Sequence, residues 1–157
     1  MYRRRPDLIG NTHWRDRHGR RFTDKQVQHA VRNRGLARLG FTSYDEYLSS
    51  SRWLRTRARY LASELSQRCI VCKCTTFDLH HLTYRRLGRE HLEDLVPLCR
   101  RHHDEVHAYV FLGYPLATAH LSVAAKHERV RKRAEGRQGP PSAASDTHGQ
   151  SRDPTST

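Results

Sequence analysis

The sequence predicts a small α+β fold: a short, metal-stapled centre flanked by helices. Three observations predict it. Apolar residues recur at helical spacing on both sides of a central stretch. That stretch carries a strand-like alternation at 76–82. Two cysteine-containing pairs bracket the alternation, each with two residues between its members. Hydrophobic content is 36% and charged content 29%, which is little for a large core. A centre this small calls for a staple such as a bound metal.

The 157 residues carry a net charge of +13. An excess of that size points to a polyanionic partner, nucleic acid before a membrane surface. No stretch approaches the roughly 20 apolar residues of a spanning helix. The basic start Met1-Tyr2-Arg3-Arg4-Arg5-Pro6 has no apolar run behind it, so the chain reads as cytosolic.

Residues 1–42 form a basic N-terminal extension. Within it, Thr23 to Leu39 can make one helix. Thr23 is the candidate N-cap, Val27, Ala30, Val31 and Leu36 are sparse apolar positions, and Arg32, Arg34 and Arg38 lie along it. A DNA-contacting arm and a merely solvated helix fit this pattern equally. Residues 43–67 read as a stronger helical segment. Ser43 with Glu46 three residues later has the form of a capping box. Leu54, Ala58, Leu61 and Leu65 are spaced to pack on one face. Trp53 reads as core, with Arg55, Arg57 and Arg59 forming a basic surface around it. The serines at 49–51 can split the segment in two.

The four cysteines are Cys69, Cys72, Cys74 and Cys99. In a reducing compartment their crowding favours metal over disulfides. Cys69-x-x-Cys72 has the form of a zinc knuckle, in which two thiolates reach one tetrahedral ion at about 2.3 Å. Cys99-Arg100-Arg101-His102 repeats the spacing. Cys69, Cys72, Cys99 and His102 thus make a closed four-ligand set, the mark of a structural zinc. Cys74 competes with Cys72 for one of the positions.

Between the pairs, 76–82 alternate as a strand that ends in His80-His81. After the second pair, Asp104 to Leu112 is helical, and His103 and His107 at i and i+4 share one face. Two imidazoles there can grip a divalent ion, with His80 a third ligand from across the site. His-x-x-x-His alone says little in a chain with twelve histidines; the order of the parts says more. Gly113-Tyr114-Pro115 is a break, and 115–134 form a final basic helix, with 113–134 as its unit. From 135 to 157 the composition predicts a disordered tail.

Residues 44–107 resemble the HNH endonuclease family, above all its small phage and prophage members. The residues that carry the likeness are Tyr44, Tyr47-Leu48, Ser51-Arg52-Trp53, Arg57, Cys69 and Cys72, then Leu79-His80-His81-Leu82-Thr83-Tyr84 and Gly88-Arg89-Glu90. The string closes with Glu93-Asp94-Leu95-Val96-Pro97-Leu98-Cys99, His102-His103 and His107. The resemblance implies a ββα-metal core over 43–112. It implies His80, His103 and His107 as ligands of one catalytic divalent ion (Mg²⁺, Mn²⁺, Ni²⁺ or Zn²⁺), with His81 as general base. Asp94 stands where the family's Asn orients that base, and His102 stands where a fourth Cys is usual. DNA is the implied substrate and a phage terminase a partner by family context.

Phosphodiester hydrolysis needs an activated water and a sink for charge on the leaving oxygen, which an imidazole and a divalent ion supply. Arg85 and Arg86 after the His-His pair are candidate phosphate clamps, with Arg57 a further contact. Two rivals use the same residues. One is a zinc-stabilised DNA-binding module without catalysis, which has no need of four clustered histidines. The other is a zinc hydrolase of small substrates, which has no need of the charge.

Overall fold

A computed structural model describes residues 20–136, His18, and the backbone of 3–6 and 12–15. The expected tail at 137–157 lies outside the described residues. Strands β1 (Arg3–Pro6), β2 (Thr12–Arg15) and β3 (Arg21–Phe22) pair in that order as an antiparallel sheet. This sheet was not anticipated, because its residues lack a clear apolar alternation.

Helix α1 (Asp24–Leu39) begins where Thr23 predicts. The Thr23 hydroxyl accepts from Gln26 N–H and the Gln26 side chain accepts from Thr23 N–H, closing a capping box. Gly40 ends it at φ 80°, the left-handed position that glycine takes without strain.

The expected helical segment after residue 43 is two helices, α2 (Tyr44–Ser49) and α3 (Ser51–Leu61). Ser50 both ends the first and caps the second, its hydroxyl accepting from Trp53 N–H. Ser43 accepts from Glu46 N–H, but the Glu46 carboxylate turns to Thr42, taking its N–H and hydroxyl at 2.7 Å each. The box is therefore shifted by one residue. The buried face of α3 also differs from expectation. Trp53, Thr56 and Tyr60 face inward, while Leu54, Leu61 and Leu65 are exposed. Two aromatic rings bury more apolar surface than the leucines would, and that decides the rotation of the helix.

Strand β4 (Asp78–His81) pairs antiparallel with β5 (Leu95–Leu98), His80 opposite Val96 and His81 opposite Leu95. Helix α4 (Arg100–Phe111) follows directly and starts earlier than its periodicity suggests, with Cys99 at its N-cap. Helix α5 (Ala119–Glu135) packs back on α4, where Glu105 meets both Lys126 at 2.6 Å and His127 at 2.7 Å. One buried cluster joins these parts: Leu36 from α1, Tyr47, Trp53 and Tyr60 from α2 and α3, Leu98 from β5, Val106 from α4, and Val123 from α5. The class is α+β, and among the described residues there are five α-helices and a small two-stranded ribbon at the centre. No helix of the described residues is long and apolar enough to cross a membrane.

Candidate metal centre and cleft

Two groups of metal-binding side chains flank the β4–β5 ribbon. In the first, Cys69, Cys72, Cys99 and His102 bring their ligand atoms within 4.8 Å of one another. The knuckle turn is held by Lys73 N–H to Cys69 C=O at 2.9 Å and Cys69 N–H to Cys74 C=O at 2.9 Å. His102 Nδ1 lies 3.1 Å from Cys99 Sγ and 3.4 Å from Cys69 Sγ, so Nδ1 is the nitrogen aimed at the thiols. This donor set fits a tetrahedral metal ion.

Cys72 Sγ donates to Cys74 Sγ at 3.4 Å. The interaction with Cys72, followed by desolvation, pushes the Cys74 thiol up to about 12. Desolvation works to raise Cys72 too, but hydrogen bonds with Cys74, Cys69 and Cys99 together outweigh it and bring Cys72 down to about 7. It is Cys72, and not Cys74, whose sulfur converges with those of Cys69, Cys99 and the His102 ring, as the two-residue spacing suggests.

The second group is His80 from β4 with His103 and His107 from α4, again with ligand nitrogens within 4.8 Å. Ring centroids are 5.1 Å apart for His80 and His103, 5.0 Å for His80 and His107, and 4.6 Å for His103 and His107. Burial first, then the neighbouring histidines, holds His80 well below the usual range, and burial also lowers His103 and His107. All three rings are therefore disposed to be neutral, the form that ligates metal. His80 Nε2 is buried and has no hydrogen-bond partner. A buried nitrogen left bare among two other imidazoles fits a metal ligand, since an unpaired polar atom in the interior is otherwise costly. Three histidines leave coordination positions open, unlike the closed Cys₃His set. In a third convergence, His102, Glu105 and His127, the last two are already engaged in the ion pairs that tie α5 to α4, and His102 belongs to the first group.

The three-histidine group opens on a cleft of about 450 Å³. Its walls include Asp78, His80, His81, His103 and His107, with Tyr44, Trp53 and Tyr84 opposite and Arg32, Arg57 and Arg100 around them. The Arg32 guanidinium lies 5.1 Å from the Tyr44 ring centroid and 5.8 Å from that of Tyr84.

Three expectations need correction. His81, read as a base open to water, is only 2% exposed and has both ring nitrogens engaged. The pleat turns it away from His80, toward α2 and α3. The rings of Trp53 and Tyr84 stack on it at 4.8 and 5.5 Å, the Tyr44 hydroxyl sits 2.9 Å from Nδ1, and Glu90 Oε1 is 3.5 Å from Nε2.

Asp94, read as the residue that orients His81, instead forms a two-pronged pair with Arg86, Nε to Oδ2 at 2.6 Å, and caps His91 N–H. Asp94 reaches the ribbon only through its backbone carbonyl, which accepts from Leu82 N–H. The carboxylate against His81 is Glu90.

Arg86 is committed to that pair, and neither it nor Arg85 lines the cleft; Arg57 does. The turn 84–89 carries Arg85 and Arg86 past the cleft rather than over it.

On sequence alone, Glu90 and Tyr44 have a place in the resemblance but no chemical role, and Arg32 stands undecided between a DNA contact and a solvated surface. Glu90 had one signal: a carboxylate in a turn otherwise rich in cations and glycine. It is 3% exposed, and it accepts from the Tyr47 hydroxyl and from Gly88 N–H at 2.9 Å. Burial alone would raise its carboxyl, yet the bonds from His81, Tyr47 and Gly88 prevail and bring it to about 2. None of the known protein families, curated proteins or solved structures compared with the chain matches it.

Proposed function

We propose that this protein is a metal-dependent DNA endonuclease of the HNH type, with a ββα-metal core formed by β4, β5 and α4. The observation that carries the reading is the three-histidine group: three neutral imidazoles with open coordination positions, facing a cleft whose cations are Arg32, Arg57 and Arg100. His80, His103 and His107 would hold one divalent ion, which supplies Lewis-acid stabilisation of charge on a phosphodiester oxygen. Cys69, Cys72, Cys99 and His102 would hold a structural zinc that fixes β4 against α4. The excess of positive charge suits a polyanionic substrate, and binding should weaken steeply with salt.

The chain's own residues dispose His81 as follows. Ionised Glu90 can only accept, so the proton of His81 stays on Nε2 and the lone pair on Nδ1 faces the Tyr44 hydroxyl. Tyr44 lines the cleft. For His81 to serve as the base, a water would have to take the place of the Tyr44 hydroxyl at Nδ1 and give its proton there. A phage packaging role beside a terminase is a proposal by family context alone.

The test is relaxation and linearisation of supercoiled plasmid with Mg²⁺, Mn²⁺, Ni²⁺ or Zn²⁺, alongside His81→Ala and His103→Ala. Cleavage that requires metal and is lost in both variants supports the reading. The buried, doubly engaged His81 favours a second reading, a zinc-stapled DNA-binding module. DNA binding without cutting under every metal would establish that one instead.

A further inference from the structure

We propose that Arg32 of α1 is a phosphate-binding residue of the cleft, receiving a backbone oxygen of the nucleic acid. The inference rests on the cleft being a nucleic-acid site. Arg32 lies on the helix that sequence reasoning left undecided between a DNA-contacting arm and a solvated surface.

Four observations, taken together, point to Arg32. Its side chain lines the cleft together with the three histidines. Its guanidinium is held against the Tyr44 and Tyr84 rings, 5.1 and 5.8 Å from their centroids. Its Nε is buried and has no hydrogen-bond partner. No carboxylate of the described residues pairs with it, whereas Arg86 and Arg100 are each paired with an aspartate. A guanidinium against aromatic faces keeps its in-plane N–H donors free for acceptors at its edge. Phosphate oxygens match that fork. Among the residues lining the cleft, Asp78 is the only carboxylate, against the three guanidiniums of Arg32, Arg57 and Arg100, so cationic charge is in excess there. An anionic oxygen would complete it.

A merely structural Arg32 would tie α1 to α2 and to the turn after β4 through the rings and nothing more. The two roles differ in what they do to binding. The experiment follows a short fluorescent DNA duplex by anisotropy across a range of salt, with the full zinc-loaded chain. The variants are Arg32→Met, Arg32→Lys and, for the same charge change at an exposed site on the same helix, Arg34→Met.

Arg32→Met is expected to weaken binding roughly tenfold more than Arg34→Met, as loss of a charge-assisted bond does. It should also flatten the dependence of log K on log salt by about 1. Arg32→Lys should restore the slope and only part of the affinity, and it stands in should Arg32→Met fail to fold. Equal binding by Arg32→Met and Arg34→Met, an Arg32→Lys as tight as wild type, or no duplex binding by wild type would each overturn the assignment. Gels of the same samples report cleavage separately, so a protein that binds through Arg32 without cutting would reject the nuclease reading and leave this one standing.

Discussion

Glu90 Oε1 lies 3.5 Å from His81 Nε2, inside the core, with the Tyr47 hydroxyl and Gly88 N–H donating to the same oxygen. A buried carboxylate thus gathers a helix, a turn and a strand around the ring next to His80, one of the three clustered histidines. Its removal would leave several buried donors without an acceptor, at about 1–3 kcal/mol each. Glu90→Ala should therefore lower stability by several kcal/mol, and Glu90→Gln by less, in chemical denaturation at neutral pH. An Ala variant as stable as wild type would contradict the arrangement.

The same carboxylate gives a pH signature. Its folded-state pKa is depressed to about 2, so its contribution is complete above the ordinary value of 4.5 and is lost as pH falls toward 2. Across that window the loss should reach about 3 kcal/mol at most. The denaturation midpoint of Glu90→Gln should fall less steeply over the same range. Parallel curves for the two proteins would assign the acid sensitivity elsewhere.

The two metal groups should separate under mutation. Cys69→Ser should lower zinc content and the melting temperature together, because a closed thiolate site contributes directly to folding. Cys74→Ser, at an exposed thiol outside the four-ligand set, should keep both. Zinc content and thermal melts decide it; loss of zinc in Cys74→Ser would reassign the fourth ligand.

His107→Ala should keep the structural metal and the fold, since its ring belongs to the other group. It should weaken binding of a second divalent ion by about 100-fold or more, as loss of a direct ligand exceeds that of a supporting contact. Titration calorimetry on the zinc-loaded protein measures this, and an unchanged second binding event would remove His107 from the ligand set.

Asp94→Asn should spare plasmid cleavage within about threefold, because its carboxylate serves Arg86 and His91 N–H rather than His81. The expected cost is about 1 kcal/mol of stability. A collapse of activity at preserved stability would restore Asp94 to the site.

Much was legible from spacing. The order of Cys69, Cys72, Cys99 and His102 and the i, i+4 relation of His103 and His107 are local facts. They determine which atoms can meet once a knuckle and a helix form. Thr23 marked the start of α1 for the same reason, a cap being an interaction of a few residues. What lay beyond local reach was decided by packing. The rotation of α3 turned on Trp53 and Tyr60 finding the interior while Leu54 and Leu61 did not. The partner of His81 turned on how the turn after Tyr84 folds, which sends Glu90 inward and holds Asp94 against Arg86. Arg32 reaches the cleft only because Leu36 anchors α1 in the core shared with α2 and the ribbon. The sequence by itself marked the candidate donors, since donor chemistry and the short spacings within each pair are written in the chain. The tertiary structure decided which charged neighbours surround them, because those contacts join residues far apart in sequence through burial that no local pattern encodes.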